Sequence, residues 1–125
     1  MANPNIVSVN SIFGNTTGFA LTTTLTNVLL ANATASGKVY KVESIMVANV
    51  DGTNAADVTI DFHTAANGTA GSSYALAATI SVPADATLNL IDKNSSFYLM
   101  ENQSIIGGAS ANGDLEVVIS YEDIS

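Results

Sequence analysis

The sequence predicts an all-β protein, an antiparallel β-sandwich, and three observations support that prediction. Apolar and polar residues alternate with a period of two through most of the chain, which is the side-chain period of a β-strand. The alternating runs are separated by turn-forming pairs such as Asp51-Gly52, Asn67-Gly68 and Asn112-Gly113. With 125 residues, of which 47% are hydrophobic, the chain suffices for one core and is predicted to form a single domain over residues 1–125.

The N-terminal part is predicted to contain two strands. The first is expected around residues 6–13. The second is expected in a Thr-rich stretch, because its β-branched residues disfavour helix; its recurring apolar residues are Phe19, Leu21, Leu25 and Leu29. Leu and Ala residues within positions 25–35 would also suit a helical turn, but Thr24, Thr26 and Val28 disfavour it.

Residues 38–50 are predicted to form a half-buried strand. Its inner face would consist of Tyr40, Val42, Met46, Ala48 and Val50. Its outer face would carry Lys41, Glu43 and Asn49.

Two later runs alternate more cleanly. In the first, the inner residues are Val58, Ile60 and Phe62, and the outer residues are Asp57, Thr59, Asp61 and His63. In the second, the inner residues are Leu115, Val117, Ile119 and Tyr121. Shorter strands are predicted around residues 74–82, 87–91, 97–100 and 104–109.

Eight or nine short strands without β–α–β alternation predict two packed antiparallel sheets. A jelly roll is one form of this sandwich, and a compact barrel is the alternative. The Gly- and Ser-rich residues 68–73 are predicted to form one mobile loop between strands.

The charge balance argues against several classes of partner. Three Lys and no Arg stand against 11 acidic residues, a formal net charge of −8, so nucleic acid and anionic membranes should be repelled. No apolar stretch approaches the roughly 18 residues of a membrane span. Charged residues make up only 11%, and the resulting surface, rich in Ser, Thr and Asn, suits an extracellular or particle-surface protein.

No catalytic site is predicted, and the protein is not expected to be an enzyme. His63 is the single histidine, and it shares a predicted strand face with Asp61. No nucleophile elbow singles out a serine for a triad with these two residues. His63 is therefore interpreted as a solvent-facing strand residue.

No metal or cofactor site is predicted either. Asp51, Asp57 and Asp61 form the closest acidic cluster, but a turn explains the first and an outward strand face explains the other two. The chain has no Cys, no calcium loop and no phosphate-binding glycine loop.

A sugar-binding or adhesion module is the alternative function, and it depends on the tyrosines because Trp is absent. Tyr40, Tyr74 and Tyr121 follow the apolar face and are predicted to pack in the core. Tyr98 lies opposite its neighbours Phe97 and Leu99 and is predicted to be exposed.

Several segments carry a resemblance to a known family. They are residues 39–42, 48–53, 56–60, 80–88, 91–94, 98–101, 109–116 and 120–122. In this order they resemble a family of short virion proteins common in cyanophages and other marine phages. The resemblance covers most of the chain from Gly37 onward and residues 5–14. Asn102-Gln103 departs from the Gly-Asp turn usual in such relatives, and the Tyr74 region is longer and richer in Gly, which leaves loop function open.

The resemblance implies a virion structural component, foremost a decoration or cement protein on the outer capsid surface, with a neck, tail or fibre position as the lesser expectation. Its partner would be the major capsid protein, and it would associate symmetrically, with a trimer as the first expectation. It would be made in the host cytoplasm and localise to the virion. Residues 1–5 place no basic residue before an apolar run, so no secretory signal is expected.

Overall fold

A computed structural model describes residues 3–125, which form two antiparallel β-sheets packed face to face. The strands are β1 (Ile12–Ala20), β2 (Asn27–Asn32), β3 (Val39–Asn49), β4 (Ala56–His63), β5 (Ser73–Val82), β6 (Thr87–Ile91), β7 (Phe97–Leu99), β8 (Gln103–Ala109) and β9 (Leu115–Ile124). A single 3-10 turn, Lys93–Ser95, lies between β6 and β7. Residues 1 and 2, the start of the segment searched for a secretory signal, lie outside the described residues.

The strand order identifies the sandwich as a jelly roll. Sheet I has the order β1-β9-β3-β6, with β7 also paired to β3, and sheet II has the order β2-β8-β4-β5. The first strand therefore pairs with the last and the second with the second last, inward to the β4–β5 pair. This nested pairing across two sheets is the jelly-roll topology. The predicted all-β sandwich is confirmed, and the barrel alternative is wrong.

The core lies between the sheets and is built from aliphatic side chains. Those with no measurable exposure are Leu21, Val42, Ile45, Val47, Val58, Ile60, Leu99, Ile105 and Leu115. The inner faces predicted for β4 and β9 are confirmed, because Val58 and Ile60 are buried, Phe62 packs against the core, and Val117 and Ile119 lie opposite them in sheet I. Burying one such side chain stabilises the fold by about 1.5–3 kcal/mol.

The inner face predicted for β3 is wrong beyond Val42. Met46 and Val50 are exposed, whereas Ile45 and Val47 are fully buried. The pairing of β3 with β9 shifts register between Val42 and Ser44. This bulge inserts one residue, and with a side-chain period of two it moves every later residue to the other face.

The N-terminal strands differ from their predicted positions. Residues 6–11 are not a strand: the Asn5 Oδ1 accepts a hydrogen bond from Val7 N at 3.0 Å, and the Asn5 carbonyl accepts one from Ser8 N at 3.0 Å. A side chain that bonds its own backbone in this way favours a turn over a sheet. The first strand begins at Ile12, and Leu25 lies exposed in the loop before β2. No helical turn forms in residues 25–35.

Candidate functional site

His63, the single histidine, is buried rather than solvent-facing. It ends β4 on the outer face of sheet II, and its side chain is only 4% exposed. The connection between β4 and β5 folds back over this face: the Ala65 carbonyl accepts a hydrogen bond from the Ser104 Oγ at 2.7 Å, and Ser104 lies directly opposite His63. The prediction of an exposed His63 was wrong because strand alternation does not show which loops cover an outer face.

The same connection is held at both ends, although the sequence predicted a mobile loop at residues 68–73. Thr64 N donates to the Ser72 carbonyl at 2.9 Å, and Ser72 N donates to the Thr64 Oγ1 at 2.8 Å. Gly68 is buried at φ +75°, and a Cβ there would meet Val28 at 3.0 Å. Only glycine combines this backbone conformation with so close an approach.

His63 forms a pair with a serine, but the pair lacks a third member. The His63 Nδ1 lies 2.8 Å from the Ser73 Oγ on the neighbouring strand. The His63 Nε2 is buried and has no hydrogen-bond partner among the residues described. Partial burial raises the pKa of Asp61, and the nearby His63 lowers it by a smaller amount. In a catalytic triad a carboxylate binds the second ring nitrogen, and here that nitrogen is unbound.

The acidic residues of the predicted cluster have separate local roles. The Asp51 Oδ1 accepts hydrogen bonds from Thr53 N at 2.8 Å and Asn54 N at 3.3 Å, which lowers the Asp51 pKa and builds the turn after β3. Asp57 lies on the outer face of sheet II, where it lines a groove. Within residues 3–125, no group of three acidic or histidine side chains lies close enough together to hold a metal ion.

Buried polar side chains tie the loops to the sheets. The Asn32 Nδ2, at the end of β2, donates to the carbonyls of Lys38 at 2.9 Å and Leu99 at 3.0 Å. The Asn49 Nδ2, at the end of β3, donates to the carbonyls of Asn54 at 3.0 Å and Val82 at 2.9 Å. Each asparagine thus joins its own loop to a neighbouring segment. Sequence reasoning missed this role because asparagine at the end of a strand is also typical of an exposed turn.

A buried carboxyl contributes a similar connection. Glu101 is almost fully buried, and its Oε2 accepts a hydrogen bond from Gly37 N. This bond joins the β7–β8 turn to the loop before β3. The second oxygen, Oε1, has no partner among the described residues.

One surface groove has four hydroxyl side chains and one carboxylate among its seven lining residues, although most of its lining surface is apolar. It has a volume of about 300 Å³ and lies where the loop after β1 meets β4, β5 and β8. Its polar lining residues are Thr23, Asp57, Thr59, Thr79 and Ser110, and its apolar ones are Leu25 and Ala109. The groove could bind a polar ligand such as a sugar, but no aromatic side chain lines it.

The tyrosines divide differently from the prediction. Tyr40 and Tyr121 are half-buried with ring centroids 5.0 Å apart and pack against the core, as expected. Tyr74 is 61% exposed, so its predicted place in the core is wrong; it lies near the start of the edge strand β5. Tyr98 is exposed, as predicted, and lines a second groove with Pro4, Ile6 and Met100.

Strand β1 is the least buried strand of the molecule. It forms one edge of sheet I, and eight of its nine residues are exposed. Phe13 is 64% exposed and Phe19 is 37% exposed, although both lie on the face of sheet I that elsewhere carries the core. We call the unpaired side of this strand, residues 12–20, the free edge of β1.

No protein-family model matches the chain, and no curated protein matches it significantly. Of the helices in residues 3–125, none is long and apolar enough to cross a membrane.

Proposed function

We propose that this protein is an accessory structural protein of a bacteriophage particle, a capsid decoration or cement protein that binds the major capsid protein on the outer surface. The sequence resemblance of its strand and turn segments to short virion proteins supports this function. The conformation of the protein supports a role in contact rather than in chemistry.

The observation that carries the proposal is how the polar interior is used. Asn32, Asn49 and Ser104 bond backbone carbonyls of loops and thereby fix the ends of the sandwich. Loops held by such bonds have less conformational freedom to lose, which lowers the entropic cost of docking. The scarcity of Lys and Arg lowers that entropic cost further, because these are among the side chains with the most rotamer freedom.

The charge distribution supports a protein partner over nucleic acid. Lys38 Nζ lies 3.0 Å from an Asp123 oxygen, and Lys41 Nζ lies 3.4 Å from Glu43 Oε1. Two of the three lysines therefore already face carboxylates. Little positive charge is left for phosphate contacts.

Mass spectrometry of purified particles tests the function. We expect this chain in the virion at a copy number that matches the capsid lattice. Particles that contain none of it, from an infection in which the chain is expressed, would contradict the proposal. A copy number of a few per particle would place it at the neck or tail instead.

A sugar-binding function is the second candidate, favoured by the groove in which Asp57 lies beside four hydroxyl side chains. Glycan-array binding by the isolated protein, lost in Asp57→Ala and kept in the charge-matched control Glu116→Ala, would support it. Glu116 is an exposed carboxylate on β9, outside this groove.

A further inference from the structure

We propose that the free edge of β1 binds the free edge of β1 from a second copy of this chain, antiparallel and around a twofold axis at Thr16. This inference goes beyond the proposed function and does not depend on it.

Alternate residues of β1 have backbone groups that do not pair with β9. Ser11 and Ser125 exchange two backbone hydrogen bonds of 3.0 Å, and Leu21 N donates to the Leu115 carbonyl at 2.9 Å. Bonded and unbonded pairs alternate along an antiparallel ladder, and the register between β1 and β9 has no break. The odd-numbered residues therefore bond β9. The residues whose N–H and C=O point away from β9 are Ile12, Gly14, Thr16, Gly18 and Ala20.

The sequence of β1 reads nearly the same in both directions around Thr16. Its order is Ile12, Phe13, Gly14, Asn15, Thr16, Thr17, Gly18, Phe19 and Ala20. In an antiparallel pair centred on Thr16, Phe13 lies opposite Phe19 of the second copy and Gly14 lies opposite Gly18. Twofold interfaces require this kind of self-complementarity.

The free backbone groups and the symmetry of the sequence require the same register. A pair centred on Thr16 makes Thr16 a hydrogen-bonded position, together with Gly14 opposite Gly18 and Ile12 opposite Ala20. These are the residues whose backbone groups are free. Each hydrogen-bonded pair exchanges two bonds, so about ten backbone hydrogen bonds would form.

Strand β1 carries two exposed phenylalanines. Side chains directly opposite each other in a sheet share a face, so Phe13 and Phe19 lie on the inner face with Asp123 and Val117. Sheet II does not cover them. In the pair, Phe13 of each copy lies opposite Phe19 of the other, next to a groove of about 310 Å³ that Phe19 and Val117 line together with Gly18, Ala20, Glu116 and Val118. Aromatic rings bury about 200 Å² each, so these four rings supply the apolar part of the interface.

The net charge of the protein opposes self-association, but none of that charge lies on β1. Two copies that each carry −8 repel one another, yet β1 contains no charged residue. Pairing therefore places no carboxylate of β1 opposite another. The remaining long-range repulsion is screened by salt, so association should strengthen as ionic strength rises.

Sedimentation equilibrium of the whole protein up to about 1 mM tests the pairing, because an interface near the small end of stable contacts is expected to be concentration-dependent. We expect a monomer–dimer equilibrium in the wild type and in Thr16→Val. Thr16→Pro removes an outward N–H, a change that edge strands tolerate, and should weaken the dimer at least about tenfold. Thr16→Lys places like charges on the axis and should do the same without altering the backbone. Valine loses the 3.0 Å hydroxyl contact with Ser120 as both variants do, so it controls for that loss.

Cysteine cross-linking tests the register. The chain has no cysteine, so Thr16→Cys introduces the single thiol. Cα atoms of a hydrogen-bonded antiparallel pair lie about 5.5 Å apart, within the range of a disulfide. Thr16→Cys should form a covalent dimer under mild oxidation, whereas Asn15→Cys, about 8 Å from its own copy, should not. A wild type that stays monomeric at 1 mM, a trimer unaffected by Thr16→Lys, or equal cross-linking of the two variants would each overturn the proposal.

Discussion

Strands β1 and β5 both lie at the edges of their sheets, but their backbone geometries differ. The pairing of β1 with β9 runs through nine residues without a break. The pairing of β5 with β4 shifts register twice, and Thr79 within β5 has φ +48°. Bulges and twists are common means by which proteins prevent edge strands from associating. The proposed pairing of β1 depends on regular backbone geometry along an exposed edge, which β5 lacks.

The largest expected effect on self-association comes from replacing the exposed aromatic residue of one edge strand and not that of the other. Phe13 on β1 and Tyr74 on β5 are almost equally exposed, at 64% and 61%. Phe13→Ser should weaken self-association about a hundredfold, since each dimer loses two buried rings, while Tyr74→Ser should leave it unchanged. Sedimentation equilibrium measures both. Equal weakening by the two substitutions would show that association does not use β1.

A smaller effect should distinguish neighbouring positions within β1. Thr17 N–H is assigned to the β9 ladder, whereas Thr16 N–H points outward. Thr17→Pro should therefore lower the free energy of unfolding of the dilute monomer by about 2 kcal/mol, and Thr16→Pro should cost less than about 1 kcal/mol. Urea unfolding at micromolar concentration gives the two values. The reverse order would place the free backbone groups on the odd residues and remove the basis for pairing at Thr16.

The smallest expected effect lies beside β5. Partial burial raises the pKa of Asp61 on β4, opposite Ala75 of β5, so its ionised form is disfavoured in the folded state. A carboxyl group whose pKa is raised in the folded state destabilises the fold as the pH rises from the pKa of the unfolded state through that of the folded state. Below about pH 3.8 the carboxyl group is protonated in both states, and this destabilisation is absent. Asp61→Asn should thus stabilise the protein at pH 7 by less than about 0.5 kcal/mol.

The pH dependence of the Asp61→Asn effect provides the control for this prediction. The gain from Asp61→Asn, measured by urea unfolding, should vanish near pH 3. A gain of the same size at pH 3 and pH 7 would mean that the substitution acts through packing rather than charge.

The fold was predictable where strand alternation is uninterrupted, as in β4 and β9. It was not predictable in β3, because a single inserted residue at Val42–Ser44 reverses every later side chain and leaves no mark in the sequence. The position of β1 was missed for another reason. Its residues are exposed on both faces, so it lacks the apolar alternation by which half-buried strands are recognised.

The interior of the candidate site was harder to predict than the fold. The burial of His63 depends on a loop that folds over an outer face, and the roles of Asn32 and Asn49 depend on carbonyls distant in sequence. The near-symmetry of residues 12–20 around Thr16, by contrast, is visible in the sequence. It acquires meaning only once the strand is known to be an edge.

The nested pairing of the jelly roll also sets the order in which the molecule can be completed. Strand β1 is synthesised before the other strands described, but its neighbour in sheet I is β9, the latest of them. Until Leu115–Ile124 emerges, β1 has no template, and contacts so distant along the chain form slowly. A polypeptide that lacks β9 therefore lacks the strand that pairs with β1, and the proposed pairing of two β1 strands would have to wait until β9 is in place.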